Sequence, residues 1–393
     1  MKRVLTFFAY LLLFPVILSA QTTLTGTLLD QDGKPMPMAN VTVAKPMGQG
    51  LVKIVEAEKD GKYSLTIDSL GIWMLTFTGV SHSHQTVALY VNKSGMIKLN
   101  VRLKTYDYLD TFRDVRINGN FNHWVFRTAV GVKKQPSGTY SVTIKMKADT
   151  LIYELMGLAK FGRTINGTQS DTYLYDKEGD YGSVVYPVNG MTKIVFDPAK
   201  LDRSSKAAVI SFPDSEEVSA RFARIYDEMN RTETAYWDSV DDFKRSGGRM
   251  SQFKYDWSGI VTNLQRHIEQ EKNKLLRQEL LFRYLMMSYM GVNVDTSIVA
   301  HFLEVDSSMS AMRSLELPFY MHKDPVSYAN SWVLYNQMMY AKSVTDSIRM
   351  AECFTILVDR YPSTPYGRWR KHYILQTEGL RQGKKLRSTK FLP

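Results

Sequence analysis

The chain has 393 residues, 44% of them hydrophobic and 23% charged, a balance that excludes an intrinsically disordered protein and a length that predicts several domains. Lysine and arginine number 50 against 39 acidic residues, giving a formal net charge of +11. The single cysteine, Cys353, excludes an intramolecular disulfide framework; among Ala351, Phe354, Leu357 and Val358 it reads as a buried, apolar side chain.

Residues 1–20 read as a cleavable secretory signal. Lys2 and Arg3 precede an apolar run over 4–18, interrupted only by Thr6, Tyr10 and Pro15, and small Ser19 and Ala20 precede polar Gln21. Leu18, third before the cut, is larger than the residue usual there. The run is shorter than the roughly 20 residues a membrane-spanning helix needs. No cysteine follows it, so the lipoprotein route is closed. The mature chain is therefore expected to be exported, periplasmic or outer-membrane-associated, without stable membrane insertion after cleavage. Loss of Lys2 and Arg3 lowers the formal charge from +11 to +9. A basic exported protein suits acidic polysaccharide or anionic lipid and argues against nucleic acid as a partner. The basic residues are concentrated only in the tail, from Arg381 to Lys390, and a solvated terminus accounts for that.

Residues 21–105 predict a small β-sandwich. Thr23, Thr25 and Thr27 alternate with Leu24, Gly26 and Leu28. The period of two recurs at Val41 and Val43, at Tyr63, Leu65 and Ile67, at Trp73, Leu75 and Phe77, and at Val87, Leu89 and Val91. Asp32-Gly33 and Asp60-Gly61 supply turns between strands. The run from Gly26 to Val43 through Gly33, Pro35 and Pro37, with the second hairpin from Asp60 to Leu65, resembles the carboxypeptidase regulatory-like domain. That resemblance implies a spacer or recognition module that is not itself an enzyme, and a Bacteroidetes-type source.

Residues 107–212 predict a second sandwich. Asn118-Gly119, Asn166-Gly167 and Asn189-Gly190 are hairpin turn signals, and Tyr140, Val142, Ile144 and Met146 alternate. The segment from Val115 to Trp124, followed by Gly138 to Val142 and Ile152 to Leu155, resembles glycogen-binding, early-set immunoglobulin-like domains. In that family an aromatic in this motif stacks on a sugar ring. The resemblance thus implies a ligand-binding role for Trp124, with neighbouring Asn120, Asn122 and His123 as the groups that bond hydroxyls. A flat sugar platform also needs a second exposed aromatic, for which Tyr173, Tyr175 and Tyr181 are the candidates and no spacing argument selects one. The alternative is that Trp124 plugs the sandwich core and the asparagines build the turn.

From residue 213 the period changes to that of a helix, and 213–383 predict a helical domain followed by a basic tail over 384–393. Val218, Phe222, Ile225, Met229 and Tyr236 fall on one helical face, and Gly247-Gly248 ends that helix. Further helices are expected at about 253–290, 295–314, 325–342, 345–360 and 365–382. The region resembles the segment preceding the thioredoxin domain in exported Bacteroidetes-type thiol-disulfide reductases. With no Cys-x-x-Cys in the chain, redox activity is not implied.

No catalytic residues, metal ligands or cofactor are predicted. The chain lacks a Gly-x-Ser-x-Gly elbow, a phosphate loop and a dinucleotide fingerprint. Asp171, Asp176, Glu178 and Asp180 form an acidic cluster, but without the spacing of a calcium loop. His82 and His84 lack a third ligand. The expected fold is therefore multidomain β plus α: two small antiparallel β-sandwiches, then an all-α domain. The expected function is non-catalytic binding of a polysaccharide or an envelope protein. The alternative is a thiol-disulfide reductase relative lacking its redox domain.

Overall fold

A computed structural model describes residues 21–36, 38–45, 51–159, 165–166, 172–177, 179–204, 207–304 and 323–369. The expected signal segment and basic tail, Asp171, Glu178 and most of the last expected helix lie outside the described residues. The chain divides into two compact units, Met1–Tyr226 and Asp227–Pro393. The first is built of β-sheets and the second of helices, as the change of period from two to 3.6 requires.

The first sandwich contains β1 (Thr22–Leu29), β2 (Asn40–Ala44), β3 (Leu51–Glu56), β4 (Lys62–Ile67), β5 (Gly71–Thr78), β6 (His82–Ser83), β7 (Gln85–Val91), β8 (Gly95–Lys98), β9 (Asn100–Arg102) and β10 (Lys104–Thr105). One sheet runs β3-β2-β5-β7 and is antiparallel throughout. The other is centred on β1, which pairs antiparallel with β4 but parallel with β8 and β9. Alternate residues of β1 are buried, so Leu24 and Leu28 meet Val41, Leu75, Phe77 and Leu89 in one core. Gly26 is obligatory in this sheet. A β-carbon there would stand 1.7 Å from the Leu99 carbonyl oxygen, which lies between β8 and β9. That carbonyl accepts a 2.6 Å hydrogen bond from the buried Tyr63 hydroxyl, so the break between the two strands leaves no orphaned acceptor.

The second sandwich contains β11 (Arg116–Gly119), β12 (Val130–Gly131), β13 (Lys133–Lys134), β14 (Tyr140–Lys145), β15 (Leu151–Met156), β16 (Ile165–Asn166), β17 (Tyr173–Tyr175), β18 (Tyr181–Val185) and β19 (Met191–Phe196). One sheet runs β12-β11-β15-β18-β17, with β16 also on β15, and the other runs β13-β14-β19. Ile117, Tyr153 and Leu155 from the first sheet pack with Tyr140, Ile144, Ile194 and Phe196 from the second. Strand β20 (Val209–Ser211) does not extend either of these sheets. It pairs antiparallel with β9 of the first sandwich, Ile210 opposite Val101. The chain then stays on that sandwich: Ser219 Oγ donates to the Tyr90 carbonyl at 2.6 Å, and Ala223 enters its core.

Six α-helices follow among the described residues: α1 (Val218–Arg245), α2 (Ser258–Gln270), α3 (Lys274–Met286), α4 (Ser297–Phe302), α5 (Pro325–Ser343) and α6 (Ser347–Arg360). The single helix expected over 253–290 is two helices. Asn273 separates them, its side chain accepting from the Leu276 amide at 3.0 Å as the N-cap of α3. The core of this unit takes Leu264, Ile268, Leu280, Tyr284 and Leu285 from α2 and α3. Buried amides satisfy chain ends around it: Gln278 donates to the Phe302 carbonyl and accepts from the Glu304 amide beyond α4. Cys353 is buried beside Met338 and Leu357, as its apolar neighbours in sequence suggest. No helix among the described residues is long and apolar enough to cross a membrane.

Candidate functional site

The loop that leaves β11 is built by its asparagines. Asn122 accepts from the Gly119 amide at 3.0 Å and donates to Asn118 Oδ1, the Val125 carbonyl and Thr128 Oγ1. Asn120 accepts from the Ile152 amide at 3.1 Å and donates to the Thr150 carbonyl at 2.9 Å. Both side chains therefore fix the loop to itself and to β15. Their amides are not held out toward a ligand. Between them and Val125 the backbone takes two consecutive left-handed residues, His123 at φ 56° and Trp124 at φ 60°. Such conformations cost of order 1–3 kcal/mol each in a residue with a side chain, and the asparagine bonds offset that cost.

This backbone turns Trp124 outward. Its indole is 40% exposed and so does not fill the core; Phe126, two residues on, is 61% exposed. The indole lies over β18 at Gly182, where a β-carbon would stand 3.8 Å from Trp124 Cη2 and 2.6 Å from Ile152 Cγ2. Strand register then decides what shares this face. Gly182 is paired with Leu174, while Tyr173 is paired with Ser183 and Tyr175 with Tyr181. Side chains alternate along a strand. Leu174, which is exposed, is thus on the Trp124 face, and Tyr173 and Tyr175 are on the opposite face with Tyr153.

Tyr175 and Tyr181 serve instead at the seam between the two sandwiches. The Tyr175 hydroxyl shares a 2.9 Å hydrogen bond with Thr42 Oγ1 of β2. The Tyr181 hydroxyl donates to the Met38 carbonyl at 2.6 Å and accepts from Asn40 Nδ2 at 2.8 Å. Burial pushes the Tyr181 phenol up to about 12, so it remains a donor throughout the neutral range. The two rings lie 5.0 Å apart. A second polar link across the same seam runs from Asp202 through Gln31 to His82. Asp202 accepts from Gln31 Nε2 at 2.6 Å, and Gln31 Oε1 meets His82 Nε2. His82 therefore has a structural place in a hydrogen-bonded chain.

The acidic cluster is likewise occupied by its own loop. Asp176 Oδ1 accepts from the amides of Gly179 and Asp180 at 2.9 and 3.0 Å, which is how a turn is closed. Among the described residues no group of three or more His, Cys, Asp or Glu side chains is gathered to hold a metal ion. Leu174 is a residue of the Trp124 face that sequence reasoning missed, and exposed Phe126, two residues beyond Trp124 in the same loop, was missed as well. Phe126 stands in the same short run as Trp124, but only its exposure marks it.

No family model and no curated protein matches the chain. Similar solved structures include a mercury-inhibited catechol 1,2-dioxygenase from Acinetobacter, at 12% identity over 24% of this chain, with a TM-score of 0.18; the chain spans 55% of that enzyme's length. A provisionally assigned carbohydrate-binding protein from Bacteroides uniformis matches at 10% identity over 44% of this chain and 98% of its own, with a TM-score of 0.18. A DUF3823 family protein from Parabacteroides merdae matches at 13% identity over 46% of this chain and 81% of its own, with a TM-score of 0.19. At scores and identities this low, none of the three assigns this chain a family or an activity.

Proposed function

We propose that this is an exported envelope protein that binds a glycan through the outer face of its second sandwich, with Trp124 as the stacking residue and Phe126 beside it. One observation carries this reading: a half-exposed indole is held outward by a loop whose asparagines already satisfy one another and β15. The apolar face of a pyranose ring matches an indole face, and a platform fixed before binding avoids the ordering cost of a mobile loop. In this reading the first sandwich is a carboxypeptidase regulatory-like spacer, and the protein works in the periplasm or at the outer membrane.

Affinity electrophoresis in gels carrying α-glucans and other neutral polysaccharides tests it. The wild-type chain should be retarded by at least one polymer. Trp124→Ala should abolish the retardation and Phe126→Ala should weaken it. Trp237→Ala, which removes an exposed tryptophan of the helical unit, should change nothing. Retardation that survives Trp124→Ala, or none by any polymer, rejects the reading.

A further inference from the structure

The two outer faces of the second sandwich differ in chemistry. One carries Trp124. The other is the outer face of the β13-β14-β19 sheet, and register assigns its residues. Tyr140, Ile144, Ile194 and Phe196 point into the core, so Ser141, Thr143 and Lys145 of β14 point out, as do Met191 and Lys193 of β19. The cross-strand pairs agree: Lys133 is opposite Ser141, Lys193 opposite Thr143, and Met191 opposite Lys145. Lys133, Lys145 and Lys193 are all exposed, and β13, β14 and β19 contain no acidic residue; Asp197, which follows β19, accepts from the Ala199 amide as the cap of the next turn. Asp149, in the turn after β14, is the nearest acidic residue that follows along that strand, and exposed Lys147 precedes it.

This basic face ends in an apolar tip. Val188 and Met191 exchange backbone hydrogen bonds of 2.9 and 3.1 Å around Asn189 and Gly190. Both central residues have positive φ, 51° and 71°, which makes a tight two-residue hairpin. A pair that exchanges both bonds presents its side chains on one side. Met191 thus carries Val188 onto the lysine face. Val188 is 74% exposed and Tyr186, just before it, 68%. Large apolar side chains are displayed on a turn too short to fold them back.

We propose that this face docks on a bilayer surface rich in anionic lipid, with Val188 and Met191 entering the interface and Lys145, Lys193 and Lys133 meeting the headgroups. The lysines alone would suit any polyanion. The aliphatic tip selects the bilayer, because valine and methionine lose water only into an apolar medium, which an acidic polysaccharide does not offer. The face lies on the opposite side of the sandwich from Trp124, so the lipid site and the glycan site are independent.

Co-sedimentation of the purified full chain with vesicles tests this, using phosphatidylglycerol mixed with phosphatidylethanolamine and, separately, phosphatidylcholine alone. The chain should partition onto the anionic vesicles and far less onto phosphatidylcholine, and salt should weaken the binding. Lys145→Glu with Lys193→Glu should lower partition roughly tenfold or more. Val188→Asn, which leaves every charge in place, should lower it roughly threefold. All three positions are exposed, and an unchanged circular dichroism spectrum checks folding. Binding that is unaltered by the charge pair comes from residues 1–20, from 381–390 or from elsewhere, and overturns the proposal. Equal binding to phosphatidylcholine, or none to anionic vesicles, also overturns it. So does charge-dependent retention on an acidic polysaccharide without vesicle binding, which gives the face to that polymer.

Discussion

The hydroxyl of Tyr181, in the second sandwich, donates a 2.6 Å hydrogen bond to the carbonyl of Met38, in the first. The same oxygen accepts from Asn40, so one buried phenol satisfies a backbone acceptor and a side-chain amide across the seam. Tyr181→Phe keeps the ring and removes the oxygen, leaving the buried Asn40 amide and the Met38 carbonyl without this partner. The first unit should lose about 1–3 kcal/mol of stability, read by denaturant unfolding. An unchanged midpoint would show that the seam does not depend on this bond.

Gly182 is the floor beneath Trp124. Gly182→Val places carbon where Ile152 Cγ2 would be 2.6 Å away and pushes toward the indole. Overpacking of this kind costs about 1–3 kcal/mol. The Trp124 fluorescence should shift as the ring is lifted from the sheet, and glycan retardation should fall with it. A variant with wild-type emission and stability would mean that the indole does not rest on β18.

Asn122→Ala removes one acceptor and the donor to three oxygens from the Trp124 loop. The left-handed backbone at His123 and Trp124 then loses its main restraint. A stability loss of about 1–2 kcal/mol is expected, with weaker glycan binding because the platform must be ordered on contact. Trp124→Ala should bind no better yet cost less than about 1 kcal/mol, because the side chain is half exposed. A reversed order of the two stabilities would place Trp124 in the core after all.

Glu279 sits in the core of the helical unit. Burial raises its carboxyl above the ordinary range, and the Arg283 guanidinium, 2.8 Å away, opposes that rise. A carboxyl whose folded value lies above its unfolded value binds its proton more tightly in the folded state. The associated stability is full below the unfolded value and is lost as pH rises through the folded one. Thermal unfolding followed against pH should therefore show the wild-type chain falling relative to Glu279→Gln as pH rises from acid toward neutral. Parallel curves would contradict this.

Cys353 is buried, and burial raises its thiol above the ordinary value. The thiolate is the reactive form, so the folded chain should react slowly with a disulfide reagent at neutral pH and rapidly once unfolded. Fast reaction in the folded state would restore a chemical role to this cysteine.

The β modules and the helical region were legible from sequence because each strand and helix announces itself by a local period. Leu24 and Leu28 alternate inward as written, Asn189-Gly190 makes its turn, and α5 and α6 fall close to their expected spans. The helix break at Asn273 was missed because an apolar period continues on both sides of it, and a cap is decided by a few hydrogen bonds. The stacking candidate was half legible. The asparagines near Trp124 were identifiable, but their amides turned out to hold the loop.

Sequence by itself determined the order of the modules, the character of each and the single buried thiol, since hydrophobic period, turn chemistry and cysteine count act over a few residues. Tertiary structure alone decided that β20 returns to pair with β9, that Tyr175 and Tyr181 face Thr42 and Met38 and not the Trp124 loop, and that Leu174 shares the Trp124 face. The physical reason is register. A shift of one residue between paired strands moves every side chain to the other face, and the groups that Tyr175 and Tyr181 then reach, like the strand that β20 joins, lie more than a hundred residues away in the chain.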